Sequence, residues 1–374
     1  MTKARQNANI SPAAGRNMVI NGAMNVAQRA TSVTGLGTAD GYFTCDRWHI
    51  NQGATSAGRF TMSQTADGPD GISANCIKID CTTADTSIAA GEYLILEQRF
   101  EGQNLQRMAK GLAGAKQVTV SFYVKASAAF DFVVELYDAD HDRQISKLYS
   151  TTTDWVRHEF TIPADVDGGD QPLDDDNALS FLLDFWLHAG ATYAGGTLNT
   201  ASWANAIAAN LAAGIDSIFS STDNNFFLTG VQMEVGPVAT DFEQEEISTT
   251  LSKCQRYYQR IQADSDTYKH FGLHFCAVDA GGTSYGTAAI PLVTTMRAIP
   301  TLVTTGTVSN YSVLAKNTNF ACTALSIDTG IDDGTISGNM YINAYTGSGN
   351  TAGAAGALRA NNTASAFIAV DAEL

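Results

Sequence analysis

Between residues 42 and 235 the chain is written almost entirely in short alternating runs. GYFTCDRWHI, GRFTMSQT, NCIKIDC, EYLILEQRF, QVTVSFYVKAS, FDFVVELYD, QISKLYS, WVRHEFTIP, ALSFLLDFWLHAG and NNFFLTGVQMEV succeed one another, with Gly, Asp, Asn or Ser breaks between them. Apolar side chains at every second position give a strand one face for a core and one for its surroundings. About ten such strands at short spacing predict an antiparallel β-sandwich. Two stretches inside it depart from the period of two. Leu105, Met108 and Leu112 predict one short helix over 104–114, ended by glycine. Trp203, Ile207 and Leu211 in an alanine-rich stretch suit a short helix or an ordered loop equally.

A change of texture begins near Glu245. Ile247, Leu251, Cys254, Tyr258 and Ile261 follow a 4-3-4-3 spacing. This gives an a/d-like row over two heptads, fewer than a coiled coil needs. The row packs on its own domain or forms a seam at a threefold axis; the second reading makes these five residues an oligomer interface. Beyond it TYKHFGLHFCAVD, TSYGTAAIPL, PTLVTTGTV, FACTALSID, NMYINAYT and SAFIAVDAEL read as strands again. The expected organisation is an N-terminal arm over 1–39, a sandwich over 40–244, a helical linker over 245–261 and a smaller β-domain over 262–374.

Charge narrows the partners. The 374 residues carry a net −16, with a sequence pI near 4.6, which argues against nucleic-acid binding. No window of about 18 apolar residues predicts membrane insertion, and the first 20 residues contain no secretory apolar core. Residues 1–39 hold Lys3, Arg5, Arg16 and Arg29 and no acid. They read either as a flexible tail or as an anchor in which Arg5 and Arg16 meet an acidic neighbour. The six cysteines form no CxxC pair and are expected to be reduced and buried.

Little in the sequence points to a reaction. P-loop and HExxH patterns are missing, the Gly-rich AGGTS run reads as a turn, and the expectation is a protein that is not an enzyme and needs no cofactor. Asp138, Asp140 and Asp142 sit between two strands and read as a polar hairpin turn rather than a calcium loop. Asp165, Asp167, Asp174 and Asp176 lie in a second acidic stretch, read chiefly as a solvated loop, with a structural Ca²⁺ site as the alternative. For a glycan ligand, aromatic rings matter most, because the C–H face of a sugar is apolar. Trp48, Trp155 and Trp186 fall in strand-like runs and are assigned to the core. Tyr193 and Trp203 fall outside them and are the candidate glycan contacts.

Several of these segments carry a resemblance. NMVINGAMNVAQRATS followed by GYFTCDRW, then LEQRFEG, AKQVTVSFYVKAS, TTDWVRHEFTIP, FFLTGVQMEVGPVATDFE, CQRYYQ, MRAIPTLV and the terminal FIAVDAEL resemble, in order and spacing, the bacteriophage tail-fibre and virion structural proteins. The likeness covers nearly the whole chain. It departs at DFEQEEISTTLSKCQRYYQ, which is acidic where such proteins often carry a basic HRPYG. The resemblance implies a jelly-roll sandwich like a carbohydrate-binding module, a place in the virion tail or on the head surface after assembly in the bacterial cytoplasm, and homotrimers. It also implies contact with other virion proteins through the N-terminal arm and with a host-surface glycan. A head-attached fibre, a capsid decoration protein and a glycan-degrading tail spike are the alternatives it leaves.

Overall fold

The computed structural model describes residues 15–53, 56–166, 172–278, 284–328, 338–347 and 352–374. The chain divides into two compact units, Met1–Thr250 with Leu374, and Leu251–Glu373.

The first unit is an antiparallel jelly-roll sandwich. Its strands in chain order are β1 (Ser32–Leu36), β2 (Gly41–Tyr42), β3 (His49–Gly53), β4 (Arg59–Thr65), β5 (Cys76–Thr83), β6 (Tyr93–Glu101), β7 (Val118–Ala126), β8 (Asp131–Asp138), β9 (Arg143–Ser150), β10 (Val156–Ile162), β11 (Leu179–Ala189), β12 (Ala204–Asn205) and β13 (Asn225–Val235). One sheet has the order β1-β4-β5-β13-β7-β10 and the other β12-β9-β8-β11-β6-β3-β2. Alternation sets the layers. In β5, Ile77, Ile79 and Cys81 are buried, while Lys78 and Asp80 face outward and pair at 2.9 Å. Between the sheets lie Trp48, Phe60, Phe122, Phe185 and Phe226, all fully buried. The rings of Phe122 and Phe185 meet edge to face at 5.0 Å, a preferred aromatic geometry.

The N-terminal segment corrects the expected arm. Residues 15–39 belong to the sandwich, because Met18, Val19 and Met24 are apolar enough to join its core. Asn17 holds them there: its Nδ2 donates to Val231 O at 3.1 Å, and its Oδ1 accepts from the amides of Val19 and Met233 at 3.0 Å each. Arg16 donates to Asp241 O at 2.6 Å and lies 3.7 Å from Glu234, so its guanidinium is already engaged by its own chain. Arg5 lies outside the described residues.

Two helical expectations also change. Residues 104–114 contain a 3-10 turn at Gln106–Met108, preceded by another at Gly102–Asn104. Leu105 and Met108 are buried, but Leu112 is 42% exposed, so the third apolar residue never completes a helical face. Around Trp203 the chain forms the short strand β12 and a 3-10 turn at Ala208–Asn210.

The second unit begins within a helix. That helix is α2 (Ile247–Gln255); α1 (Ala191–Ala194) precedes it in the chain. The expected helical row through Ile261 is broken at Arg256. Tyr258–Gln262 is a strand, β14, paired with β22 (Phe367–Asp371) so that Tyr258 faces Asp371 and Ile261 faces Ile368. Aromatic and β-branched residues fit a pleated, half-buried surface, and this pairing overrides the heptad-like spacing. Ile247 is 54% exposed, while Cys254 and Tyr258 are buried within the chain; the five residues therefore do not share one helical face.

The other strands of this unit are β15 (His270–Val278), β16 (Ser284–Pro291), β17 (Thr301–Thr304), β18 (Tyr311–Ala315), β19 (Thr318–Ile327), β20 (Asn339–Thr346) and β21 (Ala355–Ala360). Six of them close into an antiparallel barrel of order β15-β16-β20-β19-β18-β21. A three-stranded sheet, β14-β22-β17, accompanies it. Tyr311, Val313, Ile342 and Leu358 lie in its core. Cys45, Cys76, Cys81, Cys254 and Cys322 are buried and form no disulfide among the described residues.

Candidate functional site: an acidic aromatic cleft

The centre of the seven-stranded sheet carries polar groups where a strand would ordinarily place apolar or solvated ones. β11 reads LSFLLDFWLHA and is buried along almost its whole length. Its inward residues Phe181, Leu183, Phe185 and Leu187 enter the core, and Asp184 and Trp186 take the opposite face. Register does the rest. Asp184 stands opposite Glu97 of β6 on one side and Glu135 of β8 on the other, and His49 of β3 stands opposite Glu97. A row His49–Glu97–Asp184–Glu135 thus crosses four neighbouring strands.

The three carboxyl groups are not equivalent. Burial alone would raise the Glu97 carboxyl, but His49, Arg99 and Asn51 outweigh it and hold the group below the ordinary range. Arg99 Nε donates to it at 2.6 Å and Asn51 Nδ2 at 3.0 Å, and His49 Nδ1 lies 3.0 Å away. Glu135 is pushed up to about 8, first by burial and then by the charge on Glu97, against the opposing hydrogen bond from Trp186. That bond runs from Trp186 Nε1 to Glu135 Oε2 at 2.7 Å. Asp184 is raised well above the usual carboxylate range by burial and by the charges of Glu97 and Glu135, with Arg99 acting the other way. Glu135 Oε1 and Asp184 Oδ1 are buried without a hydrogen-bond partner among the described residues.

Over this row lies a cleft of about 390 Å³. Its aromatic wall is Tyr93, Trp186 and Tyr193, whose ring centroids are 5.0 to 5.9 Å apart. Tyr193 is supplied by α1, and Leu211 and Ala208 by the connection that returns across the sheet. Tyr93 Oη donates to Asn51 Oδ1 at 3.2 Å, and Tyr137 Oη to Asp142 Oδ1 at 2.6 Å. Among the described residues the lining contains Glu135, Asp142 and Asp184 and no lysine, arginine or histidine.

Of the candidate glycan contacts, Tyr193 lies in this cleft. Trp203 does not: it is 9% exposed, donates to Pro163 O at 3.0 Å and carries Lys110 Nζ 4.5 Å from its ring centroid. Trp48 is a core residue, whereas Trp186, expected in the core, is buried on the outer face beside the cleft. Asp184 and Glu135 have no local motif. The signal available was one acid inside an otherwise apolar strand, FLLDFWL, which costs stability unless it has a use or a partner.

Among the described residues, the calcium candidates form no metal-ligating group. Asp165 is held by Arg143 at 2.8 and 3.0 Å and by Lys110 at 2.8 Å, so its two oxygens already meet cationic groups. Asp174 and Asp176 are exposed on the following stretch, and Asp167 lies outside the described residues. Among the described residues, one group of three metal-ligating types lies close together, Asp138, Asp140 and His141. It belongs to the β8–β9 hairpin turn, where Asp138 also binds Lys110.

No protein-family model matches the chain, and no curated protein matches it. Solved structures similar to it include a family 4 carbohydrate-binding module (15% identity, 58% of this chain and 98% of that one, TM-score 0.30). They also include TmCBM61 in complex with β-1,4-galactotriose (9% identity, 59% and 100%, TM-score 0.29). A third is the enzymatically active domain of bacteriophage CBA120 tailspike protein 4 (10% identity, 59% and 22%, TM-score 0.30). These are distant likenesses.

Proposed function

We propose that the protein is a non-enzymatic bacteriophage virion protein, a homotrimeric tail fibre or tail-associated adhesin, whose sandwich holds a host-surface glycan in the acidic aromatic cleft. The observation that carries the glycan reading is Trp186 and Tyr193 set beside the unpartnered oxygens of Asp184 and Glu135. Rings can take the apolar face of a sugar, and carboxyl oxygens with no other partner can accept from its polar groups. The virion assignment is supported by the resemblance of NMVINGAMNVAQRATS, FFLTGVQMEVGPVATDFE and CQRYYQ to tail-fibre proteins. In this reading residues 1–14 dock on another virion protein. Opposite shifts at Glu97 and Glu135 are the pattern of an acid and base pair. Glu97, however, does not line the cleft and is held by Arg99, Asn51 and His49, which favours binding over hydrolysis.

A microarray of bacterial surface polysaccharides tests the proposal. The full-length chain should bind a subset, and Tyr193→Ala should weaken that binding about tenfold or more, as removal of an aromatic anchor does. Equal binding by the variant places the ligand elsewhere. Release of reducing ends from the bound polysaccharide refutes the non-enzymatic reading.

A further inference from the structure

The cleft is built for more than an uncharged sugar ring. Among the described residues its lining has three acidic side chains and no basic one. Asp184 is 5% exposed and Glu135 is 1% exposed, yet each keeps a buried oxygen without a hydrogen-bond partner among the described residues. The two stand directly opposite each other on adjacent strands, where Cβ atoms are about 4.5–5.5 Å apart. One donor placed between the two carboxyl groups could serve both.

We propose that the glycan held in the cleft carries a free amine, an amino sugar whose ammonium group is seated between Asp184 and Glu135 with its ring against Trp186 and Tyr193. This rests on the cleft being the glycan site. A hydroxyl pair could also donate to both oxygens, but it gives their ionised forms no counter-charge. An ammonium group supplies donors and the missing positive charge together. The neighbouring aromatic ring faces attract a cation as well.

The surrounding charges agree. On β6, Glu97 is already matched by Arg99 and by His49 of β3. On the β8 side, Asp142 accepts from Tyr137. Tyr93 donates to Asn51, and Tyr193 adds a hydroxyl. The lining brings no cation of its own to Asp184 or Glu135, and Arg99, engaged with Glu97, acts on Asp184 without lining the cleft. Burial raises both groups, with the charge of Glu97 adding to each and that of Glu135 adding to Asp184, and a bound ammonium favours their ionised forms. Binding then releases protons, and affinity rises from pH 6 toward pH 8, provided the sugar amine remains charged.

The test uses the full-length protein and a microarray of paired glycans, each present with its free amine and after chemical N-acetylation. The expected result is at least tenfold weaker binding to the acetylated partner. Asp184→Asn and Glu135→Gln should each remove the preference for the amine while their melting temperatures hold or rise, since each change relieves like-charge repulsion. Titration calorimetry in buffers of different ionisation enthalpy should register proton release on binding of the free amine. Tyr193-dependent binding of acetylated or neutral glycans as tight as that of the amines overturns this inference and leaves the cleft as the glycan site. If no glycan on the array shows Tyr193-dependent binding, both readings fall.

Discussion

Lys110→Met should be among the most damaging single changes outside the apolar core. Lys110 is 5% exposed and binds Asp138, which is fully buried, and Asp165 at 2.8 Å. Methionine keeps most of the side-chain length that packs near Trp203 but removes the charge. Asp165 retains its two-pronged contact with Arg143. Asp138 keeps the amides of Asp140 and His141 and the ring of His141 at 3.0 Å, but no lysine. Breaking a buried pair commonly costs about 3–5 kcal/mol, and these remaining donors place the loss near the lower figure, about 3 kcal/mol. For a unit of this size that is a fall of roughly 6–12 °C in melting temperature, read as the sandwich transition in calorimetry. The acid limb should change too. Burial would raise the Asp165 carboxyl, but Arg143 and Lys110 hold it below the ordinary range. Its contribution to stability is therefore present above the unfolded-state value and lost as pH falls through the folded one, and without Lys110 that loss becomes smaller. Adding Asp138→Asn should recover at least half of the deficit by removing the uncompensated charge. A single-variant cost below about 1 kcal/mol, or a double variant no better than the single, refutes the account of Lys110 as the required counter-charge.

Other consequences can be checked on the same protein. Burial pushes His188 down to about 4, with Asp85 acting the other way; the unfolded chain therefore takes up the proton first, and roughly 3 kcal/mol is lost between pH 6.5 and pH 4. His188→Gln should flatten that part of a denaturation series. Gly22→Ala should cost more than about 2 kcal/mol and expose residues 15–31 to protease, since an added Cβ would lie 2.1 Å from Val231 O. Tyr258→Asp should abolish the second unit's thermal transition. Ile247→Asp should leave both transitions unchanged but convert the proposed trimer to monomer in light scattering.

The strands were legible because each writes its own rule. In CIKIDCTT the inward and outward residues can be sorted without knowing the partner strand. The cleft was not legible in that way. Glu97, Glu135 and Asp184 are far apart in sequence, and register alone makes them neighbours. Tyr193 could be singled out because it lies outside the strand runs, whereas Trp186 was hidden in an apolar run that looks the same whether it faces the core or the cleft. The row from Ile247 to Ile261 misled for a related reason. A 4-3-4-3 spacing describes a helix only while the backbone stays helical, and pairing with β22 ends that at Tyr258.

The barrel of the second unit imposes an order on synthesis. Its β21, near the end of the chain, fills the gap between β15 and β18, and β22 completes the accompanying sheet. Until those last strands leave the ribosome, β15 and β18 each have an unpaired edge, the kind of surface to which other strands add. The sandwich has all thirteen of its strands by Val235 and can settle earlier. A nascent chain is therefore most vulnerable to misassembly over its final stretch, and a C-terminal truncation that reaches β21 leaves a ring of strands that cannot close.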